Sequence, residues 1–253
     1  MKNKHVNFIN SQGLTLDARL DMPEDPDTQS LAVFAHCFTC NKDFKAAAYI
    51  SQTLTNRGIG VLRFDFTGLG QSQGFFEETN FSTNVSDLLS AAQYLAGNGK
   101  GPFMLVGHSL GGTAALYAAD QIPSVTAVVT IGSPAEPRYV KRHFNDVHDK
   151  IETQGEAMVS VEGRRFTFTR QFLRDLEQAP LADRIGRFNK ALLVLHAPED
   201  QTVGVENAAA IFKAARHPKS FVALAGADHL LSKRQDAEYA AELIAVWAKR
   251  YAR

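Results

Sequence analysis

Short apolar runs recur along the chain at Leu31–Ala35, Gly60–Phe66, Phe103–Val106, Thr126–Ile131, Ala191–His196 and Ser220–Leu224. They are rich in Val, Leu and Phe and do not alternate with polar residues, the pattern of strands buried on both faces. Between them lie amphipathic stretches of helical period near Lys45–Arg57, Asn80–Ala96, Leu110–Gln121, Val205–Arg216 and Ala237–Tyr251. Strand and helix in alternation predict an α/β domain, a mostly parallel sheet flanked by helices. The chain opens differently. Val6–Asn10 and Leu14–Asp21, split by Ser11-Gln12-Gly13, predict an antiparallel hairpin, followed by a Pro- and Asp-rich loop over Met22–Ser30.

One interval breaks the rhythm. Nearly sixty residues separate the run ending at Ile131 from the one starting at Ala191, far more than an ordinary connection. Within it, Met158–Val161 and Arg165–Thr169 flank a Glu162-Gly163-Arg164 turn as a small hairpin, and Gln171–Gln178 continues as a helix. Residues 132–189 are therefore expected to be a cap, inserted after strand 6 over the C-terminal edge of the sheet within a single domain of residues 1–253.

The chemistry concentrates where the third central run ends. Residues 107–112 read Gly-His-Ser-Leu-Gly-Gly, between a buried strand and the helix formers Thr113–Ala119. A G-x-S-x-G segment in that context puts its serine on a strained strand-to-helix turn, with the hydroxyl projected clear of the sheet. Ser109 is the expected nucleophile, and the alternative is a serine that only caps the helix. A serine hydroxyl needs a base, and the base needs an orienting carboxylate. These partners are expected in the order acid then histidine, on loops after later strands. The strand ending at His196 runs into Ala197-Pro198-Glu199-Asp200. Asp200 is favoured, because it sits where a turn can aim it back at the site, and Glu199 remains its rival. Of eight histidines, only His229 follows the last strand on the C-terminal side, so it is the expected base. His36 and His108 flank these elements as packing or hydrogen-bonding supports. The backbone N–H groups of Phe38 and Leu110 are the expected oxyanion donors.

Other signals narrow the class. With 27 basic and 27 acidic residues the formal net charge is zero, so nothing points to nucleic acid or an anionic membrane. No apolar run reaches the roughly 18 residues of a spanning helix. The start lacks the apolar core of a signal peptide, and a cytoplasmic protein is expected. Asp65-Phe66-Thr67-Gly68-Leu69-Gly70 clusters glycines after a strand but lacks a phosphate-loop lysine. Its Asp65 and Ser72 are expected to satisfy loop backbone groups. The two cysteines, Cys37 and Cys40, cannot build a disulfide framework. They read as small packing residues beside the oxyanion donors or, alternatively, as a redox gate on that loop. No metal or organic cofactor is implied.

The segments His36–Cys40, Arg63–Ser72, Gly107–Gly112 and Asn207–Asp228 with Ala-Asp-His-Leu-Leu carry a resemblance over essentially the whole chain. It resembles the α/β-hydrolase superfamily, and specifically the hydrolase half of proteins that fuse this domain to an OsmC-like domain. Cys37 departs from the glycine that most members place after the equivalent of His36. The resemblance implies an eight-stranded sheet, a Ser109–Asp200–His229 triad and carboxylic-ester hydrolysis. A small-molecule ester with a short or compact acyl group is then the expected partner, with a homodimer left open. The chain ends at Arg253, so no OsmC-like half is expected in it. Two alternatives stand beside the esterase: a thioesterase or other acyl or C–C hydrolase on the same triad, and a ligand-binding protein without turnover.

Overall fold

The computed structural model describes residues 2–25, 30–161, 163–177, 181–186 and 188–252. The end of the predicted loop over 22–30, residue 162 of the predicted hairpin turn and residue 178 of the predicted helix lie partly or wholly outside them. The elements run β1 (Lys2–Ile9), β2 (Thr15–Met22), β3 (Leu31–Ala35), α1 (Lys45–Asn56), β4 (Gly60–Phe64), α2 (Phe81–Gly97), β5 (Met104–His108), α3 (Leu110–Ala118) and β6 (Ala127–Ile131). They continue as α4 (His148–Gln154), β7 (Glu156–Val161), β8 (Arg164–Thr169), α5 (Arg170–Glu177), α6 (Leu181–Gly186), β9 (Ala191–His196), α7 (Glu206–Ala214), β10 (Lys219–Ala223) and α8 (Arg234–Ala248).

Eight strands form one sheet in the order β1-β2-β4-β3-β5-β6-β9-β10. β1, β2 and β4 pair antiparallel, and from β4 through β10 every pairing is parallel. The expected mostly parallel sheet is thus the one found, with the opening hairpin forming its antiparallel edge. β1 starts four residues earlier than the alternation predicts, because its first half lies exposed on the edge strand and its polar residues leave no core-facing pattern.

Side chains of the central strands divide between the two faces with period two. Val33, Leu105, Val128, Leu192 and Val194 join one core with α2, α3 and α7. Phe34, Met104, Val106, Val129 and Leu193 join the other with α1 and α8. α8 presents Ala237, Ala240, Ala241 and Ala245 to that core, all fully buried, and this small-residue face lets it lie close against the sheet and α1. α2 starts at an N-cap that satisfies itself. Asn80 Oδ1 accepts from Thr83 N at 2.8 Å, and Thr83 Oγ1 accepts from Asn80 N at 3.3 Å.

Between β6 and β9 the chain leaves the sheet. A 3-10 stretch (Pro137–Val147), α4, the antiparallel pair β7–β8, α5 and α6 fill this excursion. Its Phe144, Phe168 and Phe172 are fully buried or nearly so and meet Phe38 and Phe76 from the main body, with Phe38 5.6 Å from Phe168 and 5.4 Å from Phe172 between ring centroids. Among the described residues no helix is long and apolar enough to cross a membrane.

Candidate active site

The parallel strands deliver their C-terminal ends to one edge of the sheet, and the singled-out residues converge there. β5 hands the chain to α3 at Ser109, whose backbone adopts φ 54° and ψ −128°. A non-glycine residue held at positive φ is strained and persists only where its surroundings impose it. Here the Ser109 amide donates to the Ile131 carbonyl at 2.8 Å. The hydroxyl makes no capping bond to α3, which disposes of the capping alternative. It lies instead 3.1 Å from His229 Nε2.

His229 comes from the loop after β10, and its Nδ1 lies 2.7 Å from Asp200 Oδ2. The other carboxylate oxygen of Asp200 accepts from the amides of Thr202 at 2.8 Å and Val203 at 2.9 Å. Asp200 therefore builds the turn after β9 and faces His229 at once. Burial works to raise its pKa, but the hydrogen bonds from His229, Val203 and Thr202 outweigh that and hold the carboxyl below its usual 3.8. Glu199 points elsewhere, accepting from Gly226 N at 3.2 Å. Asp228 accepts from Ser232 N at 2.8 Å and so fixes the histidine's own loop.

Leu110 N–H opens α3, where an amide has no partner within the helix. Phe38 stands across from it in the loop after β3. Both residues border a small recess of about 10 Å³ with His36 and Gly111. Gly111 permits the approach. A β-carbon there would collide with the backbone carbonyls of Ala35 and His36, so any larger residue would push α3 off that loop.

The loop itself is tied down from several sides. Cys37 and Cys40 are joined by a disulfide, closing a small local ring. Arg164, at the start of β8, donates to the Thr39 carbonyl at 2.6 Å. Behind the loop, Lys42 is buried with its ammonium 2.8 Å from Asp65 and 2.5 Å from Asp17. Burial alone would lower the lysine's pKa, but hydrogen bonds to Asp17 and Asp65 raise it above the usual 10.5. Asp65 also accepts from the amides of Lys42 and Gln71, at 2.6 and 2.9 Å, and Ser72 donates to the Asp65 carbonyl at 2.6 Å. The sequence foreshadowed the backbone role of Asp65 and Ser72. The buried ion pair it did not reveal, because Lys42 reads as an ordinary surface lysine.

His36 and His108 are buried without solvent contact, and desolvation pushes their pKa values down to about 4 and about 3. Both are neutral imidazoles at pH 7. Ser109 and His229 open onto a cavity of about 180 Å³. Cys37, Phe38 and Thr39 form one wall, Tyr139, Val140, Ser160 and Val161 of the excursion another, and Thr202 and Val203 a third. The excursion's lining residues were invisible in the sequence, since nothing in their spacing marks them as facing Ser109. Among the described residues no three metal-binding side chains gather into a cluster.

A family model described as Alpha/beta hydrolase family matches residues 32–242. The esterase domain of a Rhodothermus marinus protein is similar at 47% identity, covering 99% of both chains with a TM-score of 0.83. Est1E from Butyrivibrio proteoclasticus, solved with ferulic acid bound, shares the fold at 22% identity, with a TM-score of 0.84 over 96% of this chain and 98% of that one. Palmitoyl-protein thioesterase ABHD10, mitochondrial, from Rattus norvegicus is 32% identical over 127 residues, which is 49% of this chain and 42% of the relative. This chain thus matches less than half the length of that relative.

Proposed function

The chain belongs to the alpha/beta hydrolase family, and from that premise we propose that it is a serine esterase cleaving short or compact acyl esters through an acyl-enzyme on Ser109. The observation that carries this reading is the unbroken hydrogen-bond chain from Ser109 through His229 to Asp200, at 3.1 and 2.7 Å, on the floor of an open cavity. His229 takes the hydroxyl proton as Ser109 attacks the ester carbonyl. The tetrahedral oxyanion is held by the amides of Phe38 and Leu110. His229 then gives its proton to the departing alcohol, and water deacylates the serine with His229 again as base. Asp200 keeps the imidazole in the tautomer with its proton on Nδ1, and its ionised form stabilises the imidazolium.

The excursion over residues 132–189 serves as a cap in this reading and limits the substrate. A cavity of about 180 Å³ is close in size to one of about 150 Å³ that accommodates benzene, so a short acyl or a single aromatic ring fits best. The Rhodothermus esterase domain, similar over the whole length, supports ester cleavage. The narrower likeness to OsmC-linked hydrolases is compatible with the same chemistry and adds no residue to it.

A thioesterase is the second reading, favoured by the partial similarity to a palmitoyl-protein thioesterase. The same triad attacks a thioester as readily as an ester. Hydrolysis of p-nitrophenyl esters from acetate to palmitate, beside acyl thioesters of matching chain length, tests both. We expect turnover to peak at short chains on the oxygen esters and to fall about a million-fold in Ser109→Ala. A peak at palmitate, or faster cleavage of the thioesters, would transfer the assignment to the second reading.

A further inference from the structure

Three of the central strands bring a histidine to the site's edge of the sheet: β3 is followed by His36, while β5 and β9 end at His108 and His196. All three rings are 0–2% exposed. Each spends one ring nitrogen on a backbone carbonyl of a loop that carries one part of the reaction. His36 Nδ1 lies 2.7 Å from the carbonyl of Cys37, in the Phe38 loop. His108 Nε2 lies 2.7 Å from the carbonyl of His229 itself, the two rings 5.2 Å apart between centroids. His196 Nε2 lies 2.7 Å from the carbonyl of Val203, whose amide holds Asp200 Oδ1 at 2.9 Å.

A carbonyl only accepts, so each of these nitrogens bears the proton. The second nitrogen then has no use for one. Among the described residues Nδ1 of His108 and of His196 has no partner, and Nε2 of His36 accepts from Phe66 N at 3.4 Å. A second N–H would be buried without an acceptor in the first two rings and opposed to a donor in the third.

We infer that His36, His108 and His196 are positioning residues, imidazoles at the ends of three strands of one sheet that, each through one N–H, fix the donor loop, the base loop and the acid loop relative to Ser109. This rests on the serine-esterase reading above. These three bonds tie the loops to the paired strands they follow or face, in the Phe38 loop alongside the disulfide and Arg164. A misplacement on the order of 1 Å in such a constellation costs about a hundredfold in rate.

The test is steady-state kinetics on p-nitrophenyl butyrate with His108 and His196 each changed to Leu and to Gln. Leucine fills the space without a donor, whereas the glutamine amide reaches the same carbonyl. Expected are a kcat lower by at least about tenfold in each leucine variant, KM within about twofold of the parent, and recovery of most of the kcat in the glutamine variant. Labelling of Ser109 by a fluorophosphonate should slow in parallel. The inference is overturned if the leucine variants keep kcat within about twofold, if leucine and glutamine lose it equally, or if the loss falls on KM instead. Should a leucine variant fail to fold by circular dichroism, asparagine, an amide too short to reach, replaces it in the same comparison. Ser109→Ala, run alongside, separates the two levels: hydrolysis that survives it refutes the serine reading itself, whatever the histidines do.

Discussion

At Gly132 the backbone turns with φ +56°, and a β-carbon there would sit 3.4 Å from both Asp200 Oδ2 and His229 Nδ1. Nothing in the sequence singles this glycine out, because its role depends on two side chains 68 and 97 positions further along. Gly132→Ala should cost about 1–2 kcal/mol of stability through the left-handed conformation. Its methyl group would meet Asp200 and His229 at van der Waals distance, and a shift of this turn under the left-handed strain would reach their contact, so kcat should fall about tenfold with KM little changed. Urea unfolding and ester kinetics on the purified variant check both. A variant that loses stability but keeps kcat would show that the glycine serves the turn alone. Ser109 is the opposite case. Its strained conformation is inseparable from the Gly-rich turn that encodes it, so residues 107–112 alone mark Ser109.

Among the elements, the central strands were legible because burial on both faces leaves an apolar run that few other structures need. The 3-10 stretch Pro137–Val147, α4 and α6 were not foreseen. They are short and their packing is supplied by other segments: Phe144 is buried only because Phe168 and Phe172 come to meet it. The loop carrying Phe38 shows the same dependence. Its position in the chain was legible, but its restraint by Arg164 and by the Phe168–Phe172 cluster is tertiary. The disulfide within it closes a four-residue ring, worth only about 2 kcal/mol by loop entropy, so its larger effect is on local geometry. Dithiothreitol should exchange with it to give two thiols, loosen the Phe38 amide and lower kcat severalfold. A Cys37→Ser/Cys40→Ser double variant should show that lower rate from the start and no response to reductant. Equal rates in oxidised, reduced and double-variant protein would reduce the pair to packing.

For the whole molecule, the buried histidines set a pH window. His36 and His108 titrate at about 4 and about 3 when folded but near 6.5 when unfolded. Their contribution to stability is fully present above pH 6.5 and drains away as the pH falls toward 4 and 3, because only the unfolded chain takes up those protons. Each removes up to about 1.4 kcal/mol per pH unit within its window. The depressed carboxylates Asp17 and Asp200 act lower, with losses that begin only near pH 4. Urea unfolding between pH 7 and 4.5 should therefore show a falling stability whose slope is shallower by about one proton in His108→Gln. An unchanged slope would mean that the ring is not held neutral. The contact from Arg164 to the carbonyl of Thr39, bridging 125 positions of chain, bears on how the protein comes to life. During synthesis the first half of the sheet, with Ser109, emerges long before the segment that braces the Phe38 loop, and His229 follows later still. A nascent chain stalled anywhere before β10 would carry Ser109 on its turn without His229, so the contact chain Ser109–His229–Asp200 closes only once β10 and the loop after it have been made.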